Sequence, residues 1–164
     1  MDNIGTRRIG KNRRISYDEA FAVNGKTPPQ ALDLEESVLG ALMLDQNALT
    51  NTIEIIHTEY FYKPEHQLIF KAIVSLFEKS NPVDILTVVE ELRSTGNLDA
   101  AGGAYYVSQL TNRVVSAAHI EYHARVLSEK YIQRELIRVS TETLTDSYDE
   151  TTDVIELLDR TEQR

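Results

Sequence analysis

Hydrophobic positions recur at helical spacing through almost all of the chain from about residue 30 onward. Leu34, Val38, Leu39, Leu42 and Met43 form one stripe, and Glu35 and Glu36 sit in a first turn, where the helix dipole favours acids. Asp45 is placed to cap a second, short helix containing Leu49, Ile53, Ile55 and Ile56. The stretch FYKPEHQLIF, residues 61–70, reads as the start of a third. Pro64 falls at the first turn and Glu65 follows it, and Leu68, Ile69, Ala72, Ile73, Leu76 and Phe77 then build one broad face that Asn81-Pro82 stops. Phe61 is positioned to pack back onto that face, and His66 is expected to hydrogen-bond locally or to a neighbouring segment. Asp84 caps a helix from Ile85 to about Thr95, with Val88, Val89 and Leu92 inward and Gly96 ending it. Gly102-Gly103 turns the chain into Tyr105, Tyr106, Val107 and Leu110.

From Ala117 to Tyr148 neither proline nor glycine interrupts, which predicts one helix of roughly 45 Å at 1.5 Å per residue. Its apolar pattern changes midway. Ile120, Ala124, Leu127 and Tyr131 share a narrow face; Ile132, Leu136 and Val139 lie on another side, and Ile137 and Leu144 on a third. One core does not cover all three. The simplest geometry packs the first half on a globular body and lets the second half project, paired beyond a turn at Asp149–Thr152 with Val154, Ile155, Leu157 and Leu158. A larger intramolecular core is the alternative. The pattern therefore predicts an all-α chain: a tail over 1–29, a compact helical head over 30–116, and a helical hairpin over 117–164. The last residues carry no stop signal, so the chain reads as part of a longer one.

Composition narrows what such a chain can do. At 164 residues and 41% hydrophobic it can bury one core, and the absence of cysteine excludes disulfides and thiolate chemistry. No apolar run is long enough to cross a bilayer, which points to the cytoplasm. The net charge of −9 is uneven: residues 1–30 hold six basic and three acidic side chains, the remainder eleven and 23. A body of that sign repels phosphate, so its expected partners are proteins. The basic arm GTRRIGKNRRISY reads as a solvated, disordered segment, with nucleic-acid binding as the alternative.

Catalytic patterns are approached and missed. AFAVNGKT, residues 20–27, fits a relaxed phosphate loop, yet no buried strand precedes it and Pro28-Pro29 follows. His119 and His123 are spaced to share a metal, but Glu121 is not adjacent to His119 as the HExxH motif needs, and Glu54 with His57 is a lone Glu-x-x-His. No Gly-x-Ser-x-Gly occurs.

The segments PPQALDLEESVLGALMLD, FYKPEHQLIFKAI, NPVDILTVVEELRSTGNLDAAGGAYYVSQL and AAHIEYHARVLSEKYIQRELI, in this order and spacing, resemble the N-terminal domain of the DnaB family of bacterial replicative helicases. The resemblance runs from about Pro28 to the end. It implies a helical head and hairpin without catalysis of its own. In the family, six such domains form a collar on ATP-hydrolysing motor domains that move on single-stranded DNA. The collar supports hexamer assembly and receives the C-terminal domain of primase, and loader proteins engage the helicase in many bacteria. ATP and magnesium belong to the motor, and the resemblance places that motor downstream. Ala31 stands where relatives often carry serine, so the first head helix is expected to lack a side-chain cap. For the partner-facing surface the sequence offers Ile137, Val139 and Leu144 on the long helix, Leu157 on the return, and Tyr106 on the head, each with packing as its alternative.

Overall fold

The computed structural model describes residues 16–114 and 119–163. Among them the chain forms eight α-helices and one short 3-10 turn: α1 (Tyr17–Asn24), α2 (Leu32–Leu44), α3 (Gln46–Thr52), the turn Thr58–Tyr60, α4 (Pro64–Glu78), α5 (Ile85–Ser94), α6 (Gly103–Thr111), α7 (Ile120–Tyr148) and α8 (Val154–Glu162). No described residue lies in a strand.

Local chemistry sets most boundaries. Ala31 leaves the start of α2 without a side-chain cap. Asp45 closes α2 and opens α3, its carboxylate accepting the N–H of Asn47 at 2.8 Å and of Ala48 at 3.3 Å. Pro64 is the first residue of α4, where the missing N–H costs nothing. That helix ends at Glu78, three residues before Asn81: Ser80 takes the left-handed conformation at φ 56°, and the Asn81 N–H reaches the Leu76 carbonyl at 2.9 Å. Asp84 and Thr87 cap α5 reciprocally, and Gly96, at φ +71°, ends it while Asn97 N–H bonds the Leu92 carbonyl at 2.8 Å. Helix α3 stops at Thr52, so Ile55 and Ile56 lie beyond it.

The chain divides into two compact units. The first, the head, is Pro28–Arg134. In it α2 packs on α3, α4 and α6, while α5 contacts both α4 and α6. Leu39, Leu42, Ile69, Ile73, Leu92 and Leu110 form its buried centre, and Phe61 meets Phe70 with ring centroids 5.0 Å apart. A Cβ on Gly40 would stand 2.3 Å from the Leu110 carbonyl oxygen, so α2 and α6 approach as closely as they do only because position 40 has no side chain. Ile120, Ala124 and Leu127 of α7 belong to the same core, and Tyr131 meets Tyr60 at 5.3 Å. Arg134 is buried, and its guanidinium donates to the carbonyls of Pro29 (2.9 Å), Glu59 (3.2 Å) and Tyr60 (2.9 Å). The head therefore extends past residue 116, because the first half of α7 fills its core.

The second unit joins the segment through Thr27 to Glu135–Arg164. It contains α1, which the sequence reading placed within an unstructured tail. Ser16 and Glu19 form a capping box at its start, and Gly25 closes it in the left-handed region at φ 60°. The Tyr17 hydroxyl donates to Glu135. Arg138 bridges Glu135 and Glu142 at 2.9 Å each, and the Glu135 hydrogen bond chiefly raises the guanidinium's affinity for its proton. Asp153 caps α8, and Arg160 reaches back to Asp146 at 2.7 Å. Residues 1–15, with most of the basic arm, and Ala117, the expected start of the long helix, lie outside the described residues.

Candidate interaction surface

The second half of α7 and all of α8 carry the exposed apolar surface of the second unit. Leu136, Ser140, Leu144 and Tyr148 follow one another at every fourth position, and all four are exposed. Residues four apart form a ridge along a helix, the kind of row that seats in the groove of another helix. Leu144 is 53% exposed and Tyr148 82%. On α8, Val154, Ile155 and Leu158 are exposed as well. Charge sets the character of this stretch: between Arg138 and Arg160 there is no basic residue and there are seven acidic ones. Asp149, which accepts the N–H and hydroxyl of Thr151, is held below the usual carboxylate range by those bonds. The tip between the helices is therefore negative.

The five residues singled out from the sequence do not share one environment. Leu144 is exposed, Ile137 and Val139 are half-buried, and Leu157 is turned inward at 8% exposure. The face of α8 that meets solvent is that of Val154, Ile155 and Leu158, one side round from Leu157. Leu136 and Tyr148 complete the ridge through Leu144, and the i+4 row from 136 to 148 was readable in the sequence.

Tyr106 lies in the head and is held by a buried polar brace. His66, 0% exposed, joins Glu35, 1% exposed, through Nδ1 at 2.6 Å, and its Nε2 meets the Tyr106 hydroxyl at 2.7 Å. Glu35 also accepts the backbone N–H of Tyr62 at 2.8 Å and of Lys63 at 3.4 Å, so it is the acceptor and Nδ1 the donor. The brace ties α2, α4, α6 and the residues leading into α4. Both ring nitrogens of His66 are taken and the ring is shut from solvent, which leaves it no site at which to accept a substrate proton. Burial, then the charges of Glu36, Glu65 and Glu35, push the Tyr106 hydroxyl up to about 12. Glu35 is thus a structural acceptor in the core rather than a first-turn acid facing water.

Other patterns resolve locally. His119 and His123 line a head cleft of about 540 Å³ with Asp33, Glu36 and Arg113, and Arg113 pairs with Glu36 at 3.6 Å. Among the described residues no three metal-ligating side chains come together. Most of AFAVNGKT lies in α1, where backbone N–H groups serve the helix and cannot cradle phosphate. No helix of the described residues is long and apolar enough to cross a membrane.

Comparisons with known proteins agree on one family. The profile of the DnaB-like helicase N terminal domain matches residues 27–129. The chain is 46% identical over 153 residues to the replicative DNA helicase DnaB of Rhodothermus marinus, covering 93% of this chain and 16% of that protein. It is 39% identical over 139 residues to the DnaB of Geobacillus stearothermophilus, covering 85% of this chain and 31% of the relative. The chain thus spans less than a third of these relatives. The crystal structure of the N-terminal domain of DnaB helicase from Mycobacterium tuberculosis superposes with a TM-score of 0.77 at 34% identity, over 83% of this chain and 96% of that one.

Proposed function

The chain belongs to the family of DnaB-like helicase N-terminal domains, and from that premise we propose that it works as a collar: a non-catalytic domain that supports assembly of a hexameric replicative helicase and receives primase. The matched segment is the N-terminal domain of such helicases and not their motor. In this reading ATP and magnesium act at a motor domain, DNA is engaged mainly there, the whole operates in the cytoplasm, and a loader protein is a further partner. The observation that carries it is the unpartnered ridge Leu136–Ser140–Leu144–Tyr148 with Val154, Ile155 and Leu158. Apolar surface of this extent on a helical pair gains stability when another surface covers it. Of the residues first considered, Leu144 lies on this ridge, Ile137 and Val139 are half-buried on the same helix, Leu157 is buried on α8, and Tyr106 belongs to the head. The test is calorimetric titration of the chain with the C-terminal domain of primase from the same organism. Saturable binding, weakened at least tenfold by Leu144→Asp with helicity retained, supports the reading. A folded chain that gives no complex with primase, alone or within the assembled ring, overturns it.

A further inference from the structure

A cleft of about 540 Å³ opens in the head where the start of α2, the end of α6 and the start of α7 meet. Within it Asp33, Glu36 and Ser37 stand at i, i+3 and i+4 of α2, which puts all three on one face of that helix. The fold leaves their polar atoms unused. The Glu36 side chain is only 15% exposed, yet the cation it pairs with, Arg113, stands 3.6 Å away, outside hydrogen-bond distance, and is itself turned to solvent. Ser37 is 8% exposed, and its hydroxyl, like the Glu36 carboxylate, forms no hydrogen bond among the described residues. Taking a carboxylate and a hydroxyl out of water without partners is costly. Both groups therefore favour a donor brought in from outside.

Sign and shape decide what that donor is. The cleft holds two carboxylates to one guanidinium, which disfavours an anion. Among the described residues no three metal-ligating side chains come together, so His119 and His123 do not make it a metal site. A guanidinium carries five donors in a planar fork: two meet a carboxylate in parallel, and others remain for a neighbouring hydroxyl, whereas an ammonium offers a point charge. Leu34 supplies an apolar wall along which the methylene stem of such a side chain can lie. The volume falls in the range of pockets that enclose a whole small molecule, enough for a residue with its flanking backbone. We propose that this cleft binds an arginine side chain of a partner protein, with Glu36 and Asp33 receiving the guanidinium, Ser37 accepting a further N–H, and Arg113 giving way into solvent. The site lies wholly within the head.

The test is an amide chemical-shift titration of the full chain with acetyl-arginine amide, set against acetyl-citrulline amide, which keeps the shape and lacks the charge. Saturable shifts are expected at residues 33–37, 112–113 and 119–123 with the arginine compound alone. Glu36→Gln should weaken binding by about tenfold, the worth of a charge-assisted hydrogen bond. Arg113→Gln removes the internal competitor at an exposed position and should tighten binding by about threefold, in keeping with a weak surface ion pair. An anion-binding cleft would give both variants the opposite sign. That reversal, an equal response to the citrulline compound, or the absence of saturable shifts at these residues overturns the proposal. Free L-arginine binding as tightly as the blocked residue would overturn the choice of a protein segment as the occupant.

Discussion

At the scale of single residues, the structure rests on polar groups that the hydrophobic pattern does not reveal. Glu35 and His66 are 31 positions apart, and nothing local in the sequence marks them as partners; only the packing of α2 against α4 brings them to 2.6 Å. His66→Ala would leave the buried Glu35 carboxylate with backbone N–H partners alone, so a loss of about 3 kcal/mol in urea denaturation is expected. Tyr106 supplies a pH signature. Its folded pKa lies above that of an unfolded tyrosine, so the folded state holds the proton more tightly. The associated stability is complete below about pH 10 and is lost as pH rises toward about 12. Denaturation midpoints should fall across that window, and Tyr106→Phe should remove that part of the decline. Arg134 is equally hidden from sequence reasoning. Its three carbonyl acceptors come from two distant segments, and only the folded head shows them converging.

At the scale of elements, boundaries written in local chemistry were legible and those set by tertiary contact were not. Pro64, Asp84 and Gly96 mark their helix ends where the sequence places them. Helix α1 was readable too: Ser16 followed three residues later by Glu19 is a capping-box signature, and Gly25 is a stop. At eight residues it is too short for hydrophobic periodicity to announce, and the surrounding charge reads as tail. The division of α7 at Arg134 and Glu135 has no sequence mark, since one uninterrupted helix serves both units. Two substitutions probe this scale. Ala31→Ser offers α2 the cap it lacks and should raise stability by about 1 kcal/mol. Gly40→Ala sets a propensity gain of up to about 1 kcal/mol against a carbonyl 2.3 Å away that cannot yield without moving α6. The clash should prevail, with a net loss of about 2 kcal/mol in the same denaturation assay.

At the scale of the whole molecule, the sequence announced an all-α chain and surplus apolar surface on its second half, because the faces of the long helix outnumber what one core can bury. It did not identify which side chains remain outside. Leu157 and Leu158 are neighbours of equal hydrophobicity, and the fold buries the first and exposes the second. As proposed, this domain acts by protein contact through the second half of α7 and α8. Hydrogen exchange on the chain, free and saturated with the C-terminal domain of primase, tests it most directly. Slowed exchange is expected to be concentrated between Leu136 and Leu158, with the core amides of α2, α4 and α6 unchanged. Protection confined to the head, with residues 136–158 exchanging as in the free chain, would contradict it.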